Sequence, residues 1–209
     1  MTTRLVYLFA AAAIAVGLNP STSAAQPAGL RNIEVPPVPN DLIVDEGHVA
    51  FLEGRAVGTQ NYICLPIAGA YKWAFLGPQA TLFLSAHGEL QQQITTHFLS
   101  ANPDEGGTPR PTWQHSQDTS RVWGRVKGMT TDASYVEAGA IPWLLLEVAG
   151  KAEGTSGGSL LTQTTFIHRV NTSGGVAPVP SGCVQDKVGT VALVPYSTDY
   201  IFYRALPRR

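Results

Sequence analysis

The chain has 209 residues with 14 basic and 15 acidic side chains, and charged residues make up only 14% of it. This near-neutral balance argues against nucleic acid or an anionic membrane surface as a main partner, because both need a strongly basic protein surface. The length fits one domain with enough chain for a substantial core.

The first 25 residues have the layout of a secretory signal peptide. Arg4 precedes an apolar run over 5–18, Asn19-Pro20 ends the run, and Ser23-Ala24-Ala25 offers a small-residue cleavage site. An uncleaved anchor is the alternative, but a run of about 14 residues is short for a membrane-spanning helix. We therefore predict a secreted or periplasmic protein with no transmembrane segment after cleavage.

Residues 26–40 form a proline-rich leader. Val35-Pro36-Pro37-Val38-Pro39 should be extended, polyproline-like chain, so we expect a leader or edge-lying arm before a single domain over 41–209.

The rest of the chain consists of short apolar runs separated by Gly, Pro, Asn and Ser, a pattern typical of an all-β domain. Alternation is clear where Thr164, Phe166, His168 and Val170 share one face of a strand and Arg169 lies on the other. Strands are predicted near 47–53, 56–65, 71–76, 79–84, 90–99, 111–115, 120–127, 142–149, 162–170, 189–195 and 199–205.

We predict a single-domain antiparallel β-sandwich or partly closed β-barrel with little helix. Only Asp132–Ala138 suits one or two helical turns, and 101–111 should be an irregular loop because it is rich in Gly and Pro. Trp123 alternates with Arg121 and Arg125 on a predicted solvent face, so it is a candidate contact surface.

The only two cysteines, Cys64 and Cys183, are far apart in the sequence. In an oxidising compartment a structural disulfide is the favoured interpretation, with two buried free thiols or one reactive cysteine as alternatives. The chain has no CxxC motif, which argues against a redox-active dithiol.

Motifs for catalysis or metal binding are weak. Five histidines form neither HxH nor HExxH, so we predict no metal site and no cofactor. Ser156 lies in a Gly-rich stretch without the GxSxG spacing of a nucleophile elbow. Glu147 interrupts an apolar strand, where it either faces solvent or turns inward to pair with Arg125 or Arg169.

Several motifs together resemble domain-of-unknown-function family 3455, of exported bacterial and fungal proteins. The stretches are Gly58–Cys64, Trp73–Phe75 with Pro78–Leu82, Ala140–Leu145, Ile167–Pro178, Gly182-Cys183 and Val194–Tyr203, within a match over about 38–203. The resemblance implies a β-rich fold and supports a bridge between Cys64 and Cys183. It implies no activity.

The family pattern also places a histidine shortly before a Gly-Pro-x-Trp stretch, which His97 and Pro111-Thr112-Trp113 match around an apparent insertion over 100–110. Some relatives carry a malate dehydrogenase label. We reject that label for this chain, because it has no strand–GxGxxG–helix unit and no alternating βα pattern.

Our leading hypothesis is an exported β-domain that binds a small ligand, a glycan or a cell-surface component without catalysis. Tyr62 and Trp113 would pack on the ligand, and His97 and Asn171 would supply hydrogen bonds. One alternative is an enzyme with a site in a barrel mouth, with His97 as general acid or base and Glu147 or Asp199 as its partner. Another is a structural envelope protein. The sequence sets no oligomeric state.

Overall fold

The computed structural model describes residues 33–86 and 89–207. The predicted signal peptide, the first part of the leader and His87 lie outside this part of the chain. Within it, no helix has the length and apolar character needed to cross a bilayer.

Eight antiparallel strands form a closed barrel, in which each strand pairs with the next in the sequence. The last strand closes the barrel on the first, with a register that runs from His48–Ala205 to Ile63–Val191. The all-β prediction is confirmed, and of the two architectures left open the chain adopts the barrel. The strands are β1 His48–Ile67, β2 Ala70–Ala86, β3 Glu89–Asn102, β4 Thr108–His115, β5 Arg121–Thr130, β6 Trp143–Ala152, β7 Thr164–Gly174 and β8 Val191–Ala205.

Eleven strands were predicted, and the difference arises at three expected breaks that lie inside β1, β2 and β8. Gly77-Pro78 in β2 is one of them. There the pairing with β1 shifts register, from Asn61 opposite Gly77 to Tyr62 opposite Phe75. The Gly-Pro pair therefore marks a β-bulge that bends a continuous strand, rather than a turn that ends it.

Two local predictions are wrong in detail. The loop expected over 101–111 is only the short connection between β3 and β4, which contains the 3-10 turn Pro103–Glu105. The helical segment expected at Asp132–Ala138 is a single turn, in which Asp132 Oδ1 accepts a hydrogen bond from the Ser134 N–H at 2.8 Å. The side chain of Asp132 caps the start of this turn, and Gly139, with φ of +79°, lies in the left-handed region beyond its end.

The barrel interior holds the larger of two hydrophobic clusters. Alternate residues of each strand face inward, and one end of the barrel is filled by large side chains. Among the most deeply buried are Leu82, Val122, Leu161 and Phe202.

The second cluster lies outside the barrel, on the outer face of β6, β7 and β8. Residues 33–44 cover this face, and Leu42, in the 3-10 turn Asn40–Leu42, is completely buried there. His168 Nε2 donates to the Leu42 carbonyl at 2.7 Å, and His168 Nδ1 accepts from the Tyr203 hydroxyl at 2.9 Å. The described part of the leader is therefore packed on the barrel, whereas its proline-rich composition predicted only an extended leader or edge-lying arm.

The predicted disulfide between Cys64 and Cys183 is confirmed, with the two Cα atoms 5.4 Å apart. It ties the connection between β7 and β8, residues 175–190, to β1. The same connection accepts a hydrogen bond from Cys64 N–H at Thr190 and donates one from Gly189 N–H to the Cys64 carbonyl. The Trp73 Nε1–H also donates to the carbonyl of Val179, in the same connection, at 3.3 Å.

Trp123 does not form the predicted solvent contact surface, because its side chain is only 2% exposed. Its Nε1–H donates to Ser100 Oγ at 2.9 Å, and the Arg121 guanidinium lies 5.7 Å from the ring centre. Arg121, which lies on the same face of the strand, therefore covers the Trp123 ring through a cation–π contact.

Candidate functional site

All eight strands contribute to one cavity of about 170 Å³ in the barrel lumen. It is mostly apolar and is lined by Gln60, Phe75, Pro78, His97, Pro111, Trp113, Val126, Leu144, Leu146, Arg169 and Tyr200. Phe75 and Val126 are 53% and 50% exposed, whereas Trp113 and Tyr200 are 1% exposed. The cavity thus has an open rim near Phe75 and Val126 and a buried floor at Trp113 and Tyr200.

An aromatic stack forms this floor. His97 and Trp113 are register partners on β3 and β4, so their side chains share one face of the sheet. Their rings are stacked with centroids 4.3 Å apart and planes 14° from parallel. Tyr200, on β8, meets both rings edge-on, at 5.0 Å from His97 and 5.3 Å from Trp113. The floor is therefore rigid, since each ring is held by two others.

The protonation state of His97 follows from its surroundings. Burial lowers the pKa of His97 to about 3, although a hydrogen bond to the Thr112 carbonyl opposes the shift. His97 is therefore neutral at neutral pH, and its Nδ1–H donates to that carbonyl at 2.9 Å. The second ring nitrogen, Nε2, is then an acceptor and has no partner among the described residues.

Arg169 carries the only charge among the residues that line the cavity. It projects inward from β7, and its Nε and Nη2 donate to the Pro142 carbonyl at 3.0 and 2.8 Å. No carboxylate of the described residues lies within ion-pair distance of it. Its positive charge lowers the pKa of His97 further and opposes the rise that burial causes in the pKa of Tyr200. The guanidinium is therefore close to the floor.

Trp113 Nε1 is buried and has no hydrogen-bond partner within the described part of the chain. Such an unmet group costs about 1–3 kcal/mol unless water or a ligand satisfies it. The Gln60 amide and the Tyr200 hydroxyl lie near the Tyr196 hydroxyl, and burial raises the pKa of Tyr196 well above its ordinary value, so its hydroxyl stays protonated.

The structure brings together two of the four predicted binding residues in the lumen, His97 and Trp113. Tyr62 lies beside the rim, where its hydroxyl donates to the Gly175 carbonyl at 2.7 Å and its ring meets Phe75 edge-on at 5.7 Å. Asn171 lies apart from them, since its Nδ2 donates at 2.8 Å to Asp199, which is also ion-paired with Arg55.

The carboxylates considered as partners of His97 do not line the cavity. Glu147 accepts hydrogen bonds from the exposed Arg125 at 3.0 and 2.7 Å, as the solvent-facing alternative predicted. Asp199 is held by Arg55 at 3.1 Å. The lumen therefore presents an unaccompanied neutral histidine and not an acid–base pair.

A serine, a histidine and an aspartate do meet near the connection between β4 and β5. Asp118 Oδ1 accepts from Ser120 Oγ at 2.6 Å and lies 3.1 Å from His115 Nδ1. The serine hydroxyl points at the carboxylate instead of the imidazole, and it also accepts from the Leu161 N–H at 3.0 Å. Ser120 is fully buried. This cluster joins two loops and lacks the geometry of a nucleophilic triad.

Sequence reasoning missed Arg169 and Gln60 as site residues. A cue existed for Arg169, because it follows Ile167 by two positions and so shares its face.

A family model described as "Protein of unknown function (DUF3455)" matches residues 46–204. No curated protein and no solved structure matches the chain. Within the residues described, no three His, Cys, Asp or Glu side chains are grouped as metal ligands would be.

Proposed function

The chain belongs to the DUF3455 family, and we propose that it is a binding protein that holds a small ligand in the lumen of its barrel. The observation that carries this proposal is the cavity of about 170 Å³ above the His97–Trp113–Tyr200 floor. Ligand sites are typically mostly apolar pockets with a few placed polar groups, and this lumen has that composition.

The size of the cavity favours a small molecule over the other two ligand classes predicted from the sequence. A cavity of about 150 Å³ accommodates one benzene ring, so most of an oligosaccharide or of a segment of a cell-surface polymer would lie outside the rim of this one. A purely structural protein would gain stability by filling this space with side chains, whereas here the buried Nε1 of Trp113 is left without a partner beside it.

Binding without catalysis is favoured by the chemistry of the floor. A general acid or base works best with a pKa near the operating pH, and burial lowers the pKa of His97 to about 3. The described lining also supplies no carboxylate to raise it. His97 is therefore suited to accept a hydrogen bond from a bound molecule.

Native mass spectrometry of the protein purified from its producing organism tests the proposal. We expect wild-type protein to carry the added mass of a bound small molecule. Leu146→Trp should abolish it, because Leu146 is 1% exposed and lines the cavity, so a larger side chain there occupies the ligand volume.

Val57→Trp is the matched control, since Val57 is 46% exposed and does not line the cavity. This variant should retain the added mass, and circular dichroism should show that both variants are folded. An unliganded wild-type protein, or a folded Leu146→Trp protein that keeps the same bound mass, would refute lumen binding.

A further inference from the structure

The cavity has an unbalanced charge, which restricts what it can hold. Arg169 is the one charged residue of the lining, and the residues described place no carboxylate against it. A guanidinium has five N–H donors, and the Pro142 carbonyl takes one from Nε and one from Nη2. The carbonyl fixes the orientation of the group without neutralising it. Arg169 is partly exposed, and its guanidinium also acts on the Tyr200 hydroxyl. An anion in the lumen would give this cation a partner of opposite charge.

A second polar group close to Arg169 is a hydrogen-bond acceptor, so it prefers a donor group on the ligand. His97 Nε2 is an acceptor, because Nδ1 carries the proton that is donated to the Thr112 carbonyl. The Arg169 charge influences both His97 and Tyr200, and the rings of these two lie 5.0 Å apart. One small ligand can therefore reach the cation and the acceptor together, if it carries an anionic group and a hydrogen-bond donor.

The apolar residues of the lining restrict the size and shape of the apolar part of the ligand. Phe75, Trp113, Pro78 and Pro111 present ring faces or edges to the cavity, and Leu144 and Leu146 complete an apolar wall. A volume of about 170 Å³ exceeds only slightly the 150 Å³ or so that holds one benzene ring. A single ring with one or two small substituents fits this space below the open rim.

We propose that the lumen binds a single-ring carboxylate that also bears a hydroxyl, with the carboxylate against Arg169 and the hydroxyl donating to His97 Nε2. This assignment rests on the proposed function, whose site it refines.

Isothermal titration calorimetry on the wild-type protein tests the charge with benzoate and benzamide, which differ in charge but hardly in shape. A charge-assisted hydrogen bond predicts that benzoate binds roughly 10-fold or more tightly than benzamide. For the hydroxyl, at least one of the three hydroxybenzoate isomers should bind about 3-fold more tightly than benzoate.

Two variants locate these effects in the lumen. Arg169→Gln should remove the preference for benzoate over benzamide, whereas Arg125→Gln, the same charge change in an exposed outer ion pair, should keep it. His97→Phe retains a ring against Trp113 but has no acceptor, so it should erase the advantage of the hydroxybenzoate. If Arg169→Gln fails to fold, the two-probe comparison on wild-type protein still decides the question of charge.

Equal affinity of wild-type protein for benzoate and benzamide would overturn this inference and leave lumen binding intact, as would tight benzoate binding that Arg169→Gln leaves unchanged. Failure of every one of these probes to bind would overturn it as well. The proposed function fails separately, when native mass spectrometry finds no bound molecule in the wild-type lumen.

Discussion

His97 is fixed by three neighbours: Trp113 stacks on it, Tyr200 meets its edge, and the Thr112 carbonyl accepts a hydrogen bond from its Nδ1–H. Only the Thr112 carbonyl favours a positive charge on the ring, and burial together with the charge of Arg169 outweighs it. The imidazole is therefore held neutral over the whole range in which a free histidine titrates. This is a consequence of position alone, since nothing covalent distinguishes His97 from an exposed histidine.

Because His97 is buried and neutral, we predict that the protein becomes less stable as the pH is lowered. Its folded pKa of about 3 lies below the ordinary value of 6.5, so the unfolded chain takes up the proton first as pH decreases. The stability that this difference in pKa provides is complete above about pH 7 and is lost progressively as pH falls through 6.5 towards 3. Between pH 7 and pH 5 the free energy of unfolding should drop by about 2 kcal/mol more in wild-type protein than in His97→Phe.

Urea unfolding at the two pH values measures this difference. The window stays above the range in which most carboxylates titrate, so other groups contribute similarly to both proteins. Parallel losses in wild-type protein and His97→Phe would show that His97 is protonated in the folded state at pH 5.

The four predicted binding residues show what sequence reasoning can reach at this scale. His97 and Trp113 were found because a family resemblance linked them, and strand pairing explains why they touch. Asn171 was expected to supply a hydrogen bond beside them. Its φ of +51° belongs to a bulge in β7, where the alternation of faces fails, and it pairs with Asp199 instead. Such a backbone irregularity leaves no mark in the hydrophobic pattern.

At the scale of elements, β7 is buried on both faces, for different reasons. Phe166, His168 and Val170 were correctly predicted to be covered, but they are covered from outside by residues 33–44. Ile167 and Arg169, on the opposite face, point into the lumen. Period-two alternation identifies two faces of a strand, but it cannot say that a proline-rich leader returns to cover the outer one.

This covering segment predicts a sharp contrast between two adjacent residues. Leu42 is completely buried in the outer cluster, whereas Ile43 is 56% exposed. Leu42→Ala should lower the free energy of unfolding by about 2–5 kcal/mol, because it leaves a cavity under the segment. Ile43→Ala should change it by about 0.5 kcal/mol or less.

Chemical denaturation of the two variants provides the comparison. Similar small effects at both positions would mean that residues 33–44 do not cover β6, β7 and β8 stably in solution.

At the scale of the whole molecule, the barrel is closed by the pairing of β1 with β8 and by the disulfide that joins Cys64 to Cys183. The disulfide spans 119 positions of sequence. The eleven predicted strands reduce to eight because β1, β2 and β8 continue through Gly, Pro and Ser positions that usually end strands. Local composition indicates where a strand can end, but only pairing with a neighbouring strand shows whether it bends or stops there.

The disulfide should contribute strongly to stability, because it closes a long loop in the unfolded chain. Loop-closure entropy assigns about 4–5 kcal/mol to a loop of this size. The double variant Cys64→Ser/Cys183→Ser should therefore unfold at a much lower urea concentration than oxidised wild-type protein. A reducing agent should shift wild-type protein towards the variant and leave the variant itself unchanged. Equal midpoints for oxidised protein and the variant would contradict the estimate.

The pairing of β1 with β8 also determines when the enclosed cavity can form. Tyr200, part of the cavity floor, lies on the last strand, and its backbone meets Gly54 on the first. Before that strand arrives, the other seven make an open sheet with two unpaired edges and no enclosed space. A chain in which β8 has not yet paired with β1 therefore lacks the enclosed cavity in which we propose that a ligand binds.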